Sequence, residues 1–248
     1  MSARRALIAG LGLIGGSIGL ALRRRGWHVA FFDSDPDLDP GEAADERLSS
    51  LDADADVVIL ATPVDVAVRL LAAARAPLVT SVCSVMAPFR AVADDRFVAG
   101  HPLAGSASRG ITAARADLFE GATWFIDRDD ATVREIIAAC GANAEVVDAA
   151  EHDRALALTS HLPQILSTAL AAYLHEQQID LRFAGPGLRT FLRLAGSEAS
   201  VWTPILDANR ENLRPHVDAI ADIVHAIVEG DASSAFGQAN GFFAKLSR

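Results

Sequence analysis

The sequence predicts an α/β protein, a doubly wound parallel sheet followed by an all-helical domain, and three observations predict it. Up to residue 148, short apolar runs bounded by polar or turn residues alternate with helix-like stretches. Strands buried on both faces and joined by crossover helices have this pattern. Beyond residue 148 the chain turns Ala- and Leu-rich, with apolar residues at helical spacing and no strand pattern. A glycine-rich turn, Gly10 to Gly15, stands where the first apolar run gives way to the first helix. The expected domains are 1–148 and 149–248.

Taken in order, Ala6, Leu7, Ile8 and Ala9 form the first strand, ended by the glycines. Residues 17–25 form a helix whose start Gly16 and Gly19 keep slim. Residues 29–32 form the second strand, which closes on Phe31-Phe32-Asp33. A third strand over 57–61 stops at Thr62-Pro63, and a helix follows over 64–74. Strands at 78–82 and 97–99 come next, then strands at 123–126 and 145–147 flanking a helix near 133–139. In the second domain the periodicity predicts helices over 149–174, 187–195, 200–228 and 233–246.

Composition excludes several function classes. Apolar residues make up 51% of the 248, enough for packed cores, so general disorder is excluded. The formal net charge of -10 has the wrong sign for a nucleic-acid partner. The single lysine, Lys245, lies near the chain end, so neither Schiff-base chemistry nor a phosphate-binding loop lysine is expected. Cys83 and Cys140 stand far apart, without a CxxC pair or a Cys/His cluster. Neither a metal site nor a disulfide framework is expected, and the thiols read as those of a reducing compartment, by default the cytoplasm. No run approaches the roughly 20 apolar residues of a membrane helix, and the first apolar stretch is too short for a signal-peptide core. No membrane partner is expected.

Gly10-Leu11-Gly12-Leu13-Ile14-Gly15 is a GxGxxG between a strand and a helix, the context in which that pattern marks a Rossmann-type dinucleotide site. Gly10 permits the tight turn, Gly12 the approach of a pyrophosphate to backbone, and Gly15 the packing of helix on strand. Free N–H groups at the helix start suit the anion. Asp33, 23 residues after Gly10, is placed to bond ribose hydroxyls and to repel a 2′-phosphate, which favours NAD over NADP. No arginine follows it; the next residues are Ser34-Asp35-Pro36.

The strand at 97–99 leads into Gly100-His101-Pro102-Leu103-Ala104-Gly105-Ser106. Ligands of open α/β sheets sit beyond the carboxyl ends of strands, and a histidine there can take a hydroxyl proton near neutral pH. Position alone is equally consistent with a turn histidine satisfied by backbone. Arg189 and Arg193, four apart, share a helical face; they suit an anion, and a solvated pair is the alternative. His152 and His161, nine apart, fall on opposite faces at about 100° per residue, unless Pro163 kinks the helix. His152 beside Asp153 reads as a helix-start cap, and His161 as an interior histidine.

Over nearly the whole chain these residues resemble the prephenate/arogenate dehydrogenases of tyrosine biosynthesis. Gly10-Leu11-Gly12-Leu13-Ile14-Gly15-Gly16-Ser17 resembles the family's glycine loop, and Ala61-Thr62-Pro63 the turn after its third strand. Ser81-Val82-Cys83-Ser84-Val85 resembles its serine loop, and His101-Pro102-Leu103-Ala104-Gly105 its histidine loop. His152-Asp153, Ser160-His161-Leu162-Pro163 and Leu192-Arg193-Leu194-Ala195, followed by Trp202, stand at family spacing. The resemblance implies an NAD-dependent oxidative decarboxylation in which hydride leaves ring C4, carbon dioxide leaves C1 and the ring becomes a phenol. It implies that His101 takes the C4 hydroxyl proton, Ser84 holds that hydroxyl, and Arg193 pairs with a substrate carboxylate, with Gln164 and Ser106 beside the substrate. On the cofactor side it implies Gly10, Gly12, Leu13, Ile14, Gly15, Asp33, Ser34, Thr62 and Pro63. It further implies helical domains that pair as a homodimer.

Three positions depart from the family pattern. Met86 stands where a lysine is usual, Gln164 where a second histidine is frequent, and Ala107 where an acid is frequent. Without the acid an ammonium group lacks one partner, which favours prephenate over arogenate and over a 4-amino-4-deoxy analogue. A dehydrogenase of the β-hydroxyacid or imine-reductase kind is disfavoured by the lack of an interior lysine. A catalytically silent NAD-binding module is disfavoured by Ser84, His101 and Arg193 occurring together. Neither a chorismate mutase region nor a ligand-sensing domain is expected with this chain, so any inhibition by tyrosine is expected at the active site.

Overall fold

The computed structural model describes residues 4–105 and 108–246. By their contacts these form two compact units, Met1–Leu156 with Ser197–Ala208, and Ala157–Gly196 with Asn209–Arg248. By contacts the division falls at 156/157, and residues 197–208 group with the first unit.

In the first unit, β1 (Arg5–Ala9), β2 (His28–Phe32), β3 (Glu46–Arg47), β4 (Val57–Leu60), β5 (Val79–Ser81) and β6 (Phe97–Val98) form a parallel sheet of order β3-β2-β1-β4-β5-β6. Helices α1 (Leu13–Arg24) and α2 (Val64–Leu71) follow β1 and β4. The order reverses between β1 and β4, which opens a crevice at their carboxyl ends. Successive residues of a strand point to opposite faces, and both faces here are covered. Ala6, Ile8, Val57 and Ile59 enter one buried cluster; Leu7, Ala9, Val58 and Leu60 enter the other. That is why these strands read as unbroken apolar runs.

The strand expected over 97–99 does not run on into a loop. The chain leaves β6 at Ala99 and enters a second, three-stranded sheet of β7 (Gly100–Pro102), β8 (Thr123–Ile126) and β9 (Asn143–Val146), in order β7-β8-β9. Asp127 makes the switch: its Oδ1 accepts the Ala99 N–H at 2.9 Å, and its own N–H donates to the Ala99 carbonyl at 3.0 Å. His101 is therefore the middle residue of β7, opposite Phe125 of antiparallel β8. Helix α3 (Ala131–Ala139) links β8 to β9, and α4 (Ala149–Leu156) follows. The cap of α4 is Asp148, whose Oδ1 accepts the N–H groups of Ala150 and Glu151, both at 3.0 Å. His152-Asp153 is thus not the cap.

The second unit is helical. The expected helix over 149–174 is interrupted by a π-type turn, Ala157–His161, before α5 (Leu162–Glu176), so a regular 100° count no longer applies. The expected helix over 187–195 is α6 (Pro186–Phe191) tightening into a 3₁₀ turn, Leu192–Gly196. The expected helix over 200–228 breaks at Asn209 into α7 (Ala199–Ala208), which belongs to the first unit, and α8 (Arg210–Ala226). Asn209 is buried, with Nδ2 3.0 Å from His161 Nδ1 and Oδ1 accepting from Asn212 Nδ2 at 2.7 Å. Its side chain holds the break. Gly230, at φ 119°, separates α8 from α9 (Ala232–Leu246). Helix α9 buries none of its residues, and Phe236, Phe242, Phe243 and Leu246 are each more than 60% exposed.

Candidate active site

The carboxyl ends of β1, β2 and β4 bring the predicted cofactor residues to one edge. Gly10 turns at φ +91°, and a Cβ there would lie 2.7 Å from the Ala61 carbonyl. At Gly15 a Cβ would lie 2.0 Å from the Gly10 carbonyl, so helix and turn close only around glycine. Gly12 is different, since a Cβ there would meet nothing within 4 Å. No side chain caps α1, so the first-turn N–H groups, Leu13 and Ile14 among them, have no helical partner and suit an anion. Asp33 Oδ2 accepts the Leu11 N–H at 2.8 Å and Oδ1 the Asp35 N–H at 3.0 Å. The carboxylate thus straps the glycine loop, and each oxygen keeps acceptor capacity for ribose hydroxyls. Ser34 is exposed beside it, and Thr62 and Pro63 stand between β4 and α2. These groups fit a dinucleotide.

One cation near this edge escaped the sequence reading. Arg47, at the end of β3, stacks over Phe31 at 4.6 Å and donates to the carbonyls of Asp35 and Leu38, both at 3.0 Å. Its two-residue strand was too short to leave a pattern.

Ser84 and His101 reach the same unit from β5 and β7. Their segments are joined where Gly100 N–H donates to Ser81 Oγ at 3.4 Å. Ser84 is half-buried, and its hydroxyl bonds none of the described residues. His101 is 9% exposed. Its Nδ1 lies 2.9 Å from His152 Nε2, and His152 Nδ1 lies 2.8 Å from Asp153 Oδ1. Asp153 in turn accepts the N–H of Met86, at 2.9 and 3.1 Å to its two oxygens, and that of Ala87 at 2.8 Å. Both His152 and Asp153 are buried. Met86 packs into the apolar core, so it leaves no trace of the charge usual at that position. Burial pushes the neighbouring Cys83 thiol up to about 12, which removes it as a nucleophile.

The remaining predicted residues belong to the second unit or lie outside the description. Arg193 sits in the 3₁₀ turn and Arg189 in α6, so they do not share one α-helical face; both are exposed and in no ion pair among the described residues. Gln164 is buried in α5, where its Nε2 donates to Leu194 O at 2.9 Å and Thr168 Oγ1 at 3.1 Å. Ser106 and Ala107 lie outside the described residues.

Two family models match this chain. The prephenate dehydrogenase nucleotide-binding domain matches residues 18–146, and the prephenate dehydrogenase dimerization domain matches residues 148–234. The chain belongs to the prephenate dehydrogenase family. A Streptomyces niveus relative named as a probable prephenate dehydrogenase, NovF, is 34% identical over 94% of this chain and 72% of its own. The A. aeolicus prephenate dehydrogenase, solved with hydroxyphenyl propionate and NAD+, superposes with a TM-score of 0.82 at 24% identity, covering 100% of this chain and 97% of that one. Synechocystis arogenate dehydrogenase gives 0.73 at 25% identity, over 98% and 99%. The likeness confirms a parallel-sheet nucleotide domain with a helical region after it. What the sequence reading of this prephenate dehydrogenase family member missed is the link of His152-Asp153 to His101. The two stretches are 51 residues apart, and only the adjacency of His and Asp hinted at it.

Proposed function

We propose that this chain oxidises and decarboxylates prephenate with NAD as hydride acceptor, giving 4-hydroxyphenylpyruvate, and that it acts as a homodimer. The observation that carries the proposal is the placing of His101 and Ser84, through joined segments, in the unit that also holds the glycine loop and Asp33. NAD, when bound, supplies the acceptor for the C4 hydride. His101, whose Nδ1 faces His152, offers its Nε2 to the C4 hydroxyl and takes that proton. Ser84 holds the same hydroxyl by a hydrogen bond. Loss of the proton and hydride makes C4 a carbonyl, carbon dioxide departs from C1, its electron pair enters the ring to give an aromatic phenolate, and the proton held by His101 returns to the C4 oxygen. Arg193 is assigned a substrate carboxylate, a task its fork geometry suits. Asp33 favours NAD because its charge opposes a 2′-phosphate. Arg47, with Nη2 on the Asp35 and Leu38 carbonyls, keeps its positive charge near this edge, and the comparison of NAD with NADP weighs it against Asp33.

One observation favours a second reading, an amino-bearing analogue. The buried Gln164 Oε1 accepts no hydrogen bond from the described residues, and an acceptor of this kind suits a donor such as an ammonium. The test of both is dinucleotide reduction by purified protein, with prephenate, arogenate and an unrelated 3-hydroxy acid offered separately to NAD and to NADP. Reduction of NAD by prephenate above arogenate is expected; the reverse order installs the second reading. His101→Asn is expected to lower turnover about 100- to 10,000-fold with NAD binding intact. Unchanged turnover removes His101 as the base.

A further inference from the structure

The reaction as proposed gives no task to the buried histidine and carboxylate behind His101. We infer that His152 and Asp153 are positioning residues that fix which ring nitrogen of His101 holds the lone pair. The inference rests on the reading of His101 as the base.

With Asp153 ionised and His152 neutral, the proton inventory leaves one arrangement. Main-chain N–H groups only donate, so Asp153 is an acceptor towards Met86 and Ala87. As a carboxylate it has no proton to offer His152, and the hydrogen between Asp153 Oδ1 and His152 Nδ1, 2.8 Å apart, belongs to the histidine. A neutral imidazole carries one N–H. The His152 Nε2 therefore holds a lone pair and accepts from His101 Nδ1 at 2.9 Å. With its hydrogen on Nδ1, His101 keeps the lone pair on Nε2, where a hydroxyl proton is taken. When that happens the buried ring turns cationic, and the Asp153 charge, two hydrogen bonds away, offsets it.

Packing keeps the arrangement in place. The His152 ring stands edge-on to Phe125, with centroids 5.5 Å apart at 69°, and to His101, 5.1 Å apart at 87°. A ring flip that puts ring carbons where its nitrogens stand would need both neighbours to move. The same carboxylate holds the N–H groups two and three residues beyond Ser84, so one buried charge orients the base and anchors the serine loop.

The test begins on the unaltered protein. Ring ¹⁵N spectra of histidine-labelled enzyme are expected to show Nδ1 protonated and Nε2 bare at His101, the signal being assigned by its loss in His101→Asn. The opposite tautomer there overturns the inference. Asp153→Asn keeps an oxygen for the main-chain donors but turns an N–H towards His152, which reverses both tautomers. Its kcat is expected to fall about 100- to 10,000-fold, with KM within about threefold. His152→Leu is expected to lose as much, and His152→Gln to recover most of that loss, because its amide oxygen can accept from His101 Nδ1. NAD titration and a thermal midpoint check that each variant is folded. Wild-type kcat in folded His152→Leu overturns the positioning role and leaves the base reading standing. Wild-type kcat in His101→Asn overturns both.

Discussion

The two compact units treat their interiors in opposite ways. The first seals a sheet between two apolar clusters and buries a hydrogen-bonded chain of His101, His152 and Asp153 within itself. The second leaves Phe236, Phe242 and Leu246 of α9 exposed to solvent and its exposed arginines Arg189 and Arg193 without ion pairs among the described residues. A buried polar chain holds its geometry only where the surrounding packing is complete. An exposed apolar helix face of this kind suits cover by a second copy. The first unit therefore carries precision, and to the second we assign the proposed association.

Breaking the sealed side gives the largest effect on stability. Ile59→Ala, at the centre of the sheet, is expected to cost about 2–5 kcal/mol, read as a lowered urea midpoint with unchanged slope. Less than 1 kcal/mol there means that the core relaxes around the cavity and is not sealed. The contrast sharpens on α9. Phe242→Ala is expected to leave the stability of the separate chain within about 0.5 kcal/mol while weakening self-association about 10- to 100-fold, measured by sedimentation over a concentration series. Association equal to wild type places the contact on another face. The smallest effect concerns Asp127. Burial, ahead of the bond from Ala99 N–H, holds its carboxyl above the ordinary aspartate range. The folded chain then binds more proton than the unfolded one in that window, so this contribution to stability declines as pH rises through it. Asp127→Asn, which keeps the oxygen facing Ala99, is expected to flatten the stability curve over mildly acid pH; an unaltered slope refutes the assignment.

Much of the first unit was legible because its strands are covered on both faces, and such strands need unbroken apolar runs. Gly10, Gly15 and Asp33 were legible because the turn they build is local. The switch at Ala99 was not, since Ala99 is as apolar as its strand neighbours and its partner, Asp127, is distant in sequence. The break at Asn209 was hidden for the same reason, as His161 holds it from another helix. His152-Asp153 was misread as a cap because the nearer Asp148, the true cap, is also acidic. Periodicity reports burial; it does not report which buried polar group finds which.

The single-residue passage at Ala99 has an evolutionary consequence. Side chains alternate along β7, and β7 is only three residues long, anchored at one end by the Ala99–Asp127 pair. Inserting or deleting one residue between Val98 and His101 would turn the histidine to the opposite face of its sheet. Homologues of different length should therefore place their insertions elsewhere, in surface turns such as the stretch around Gly41. The count of residues from Val98 to His101 should stay fixed even where the residues themselves change.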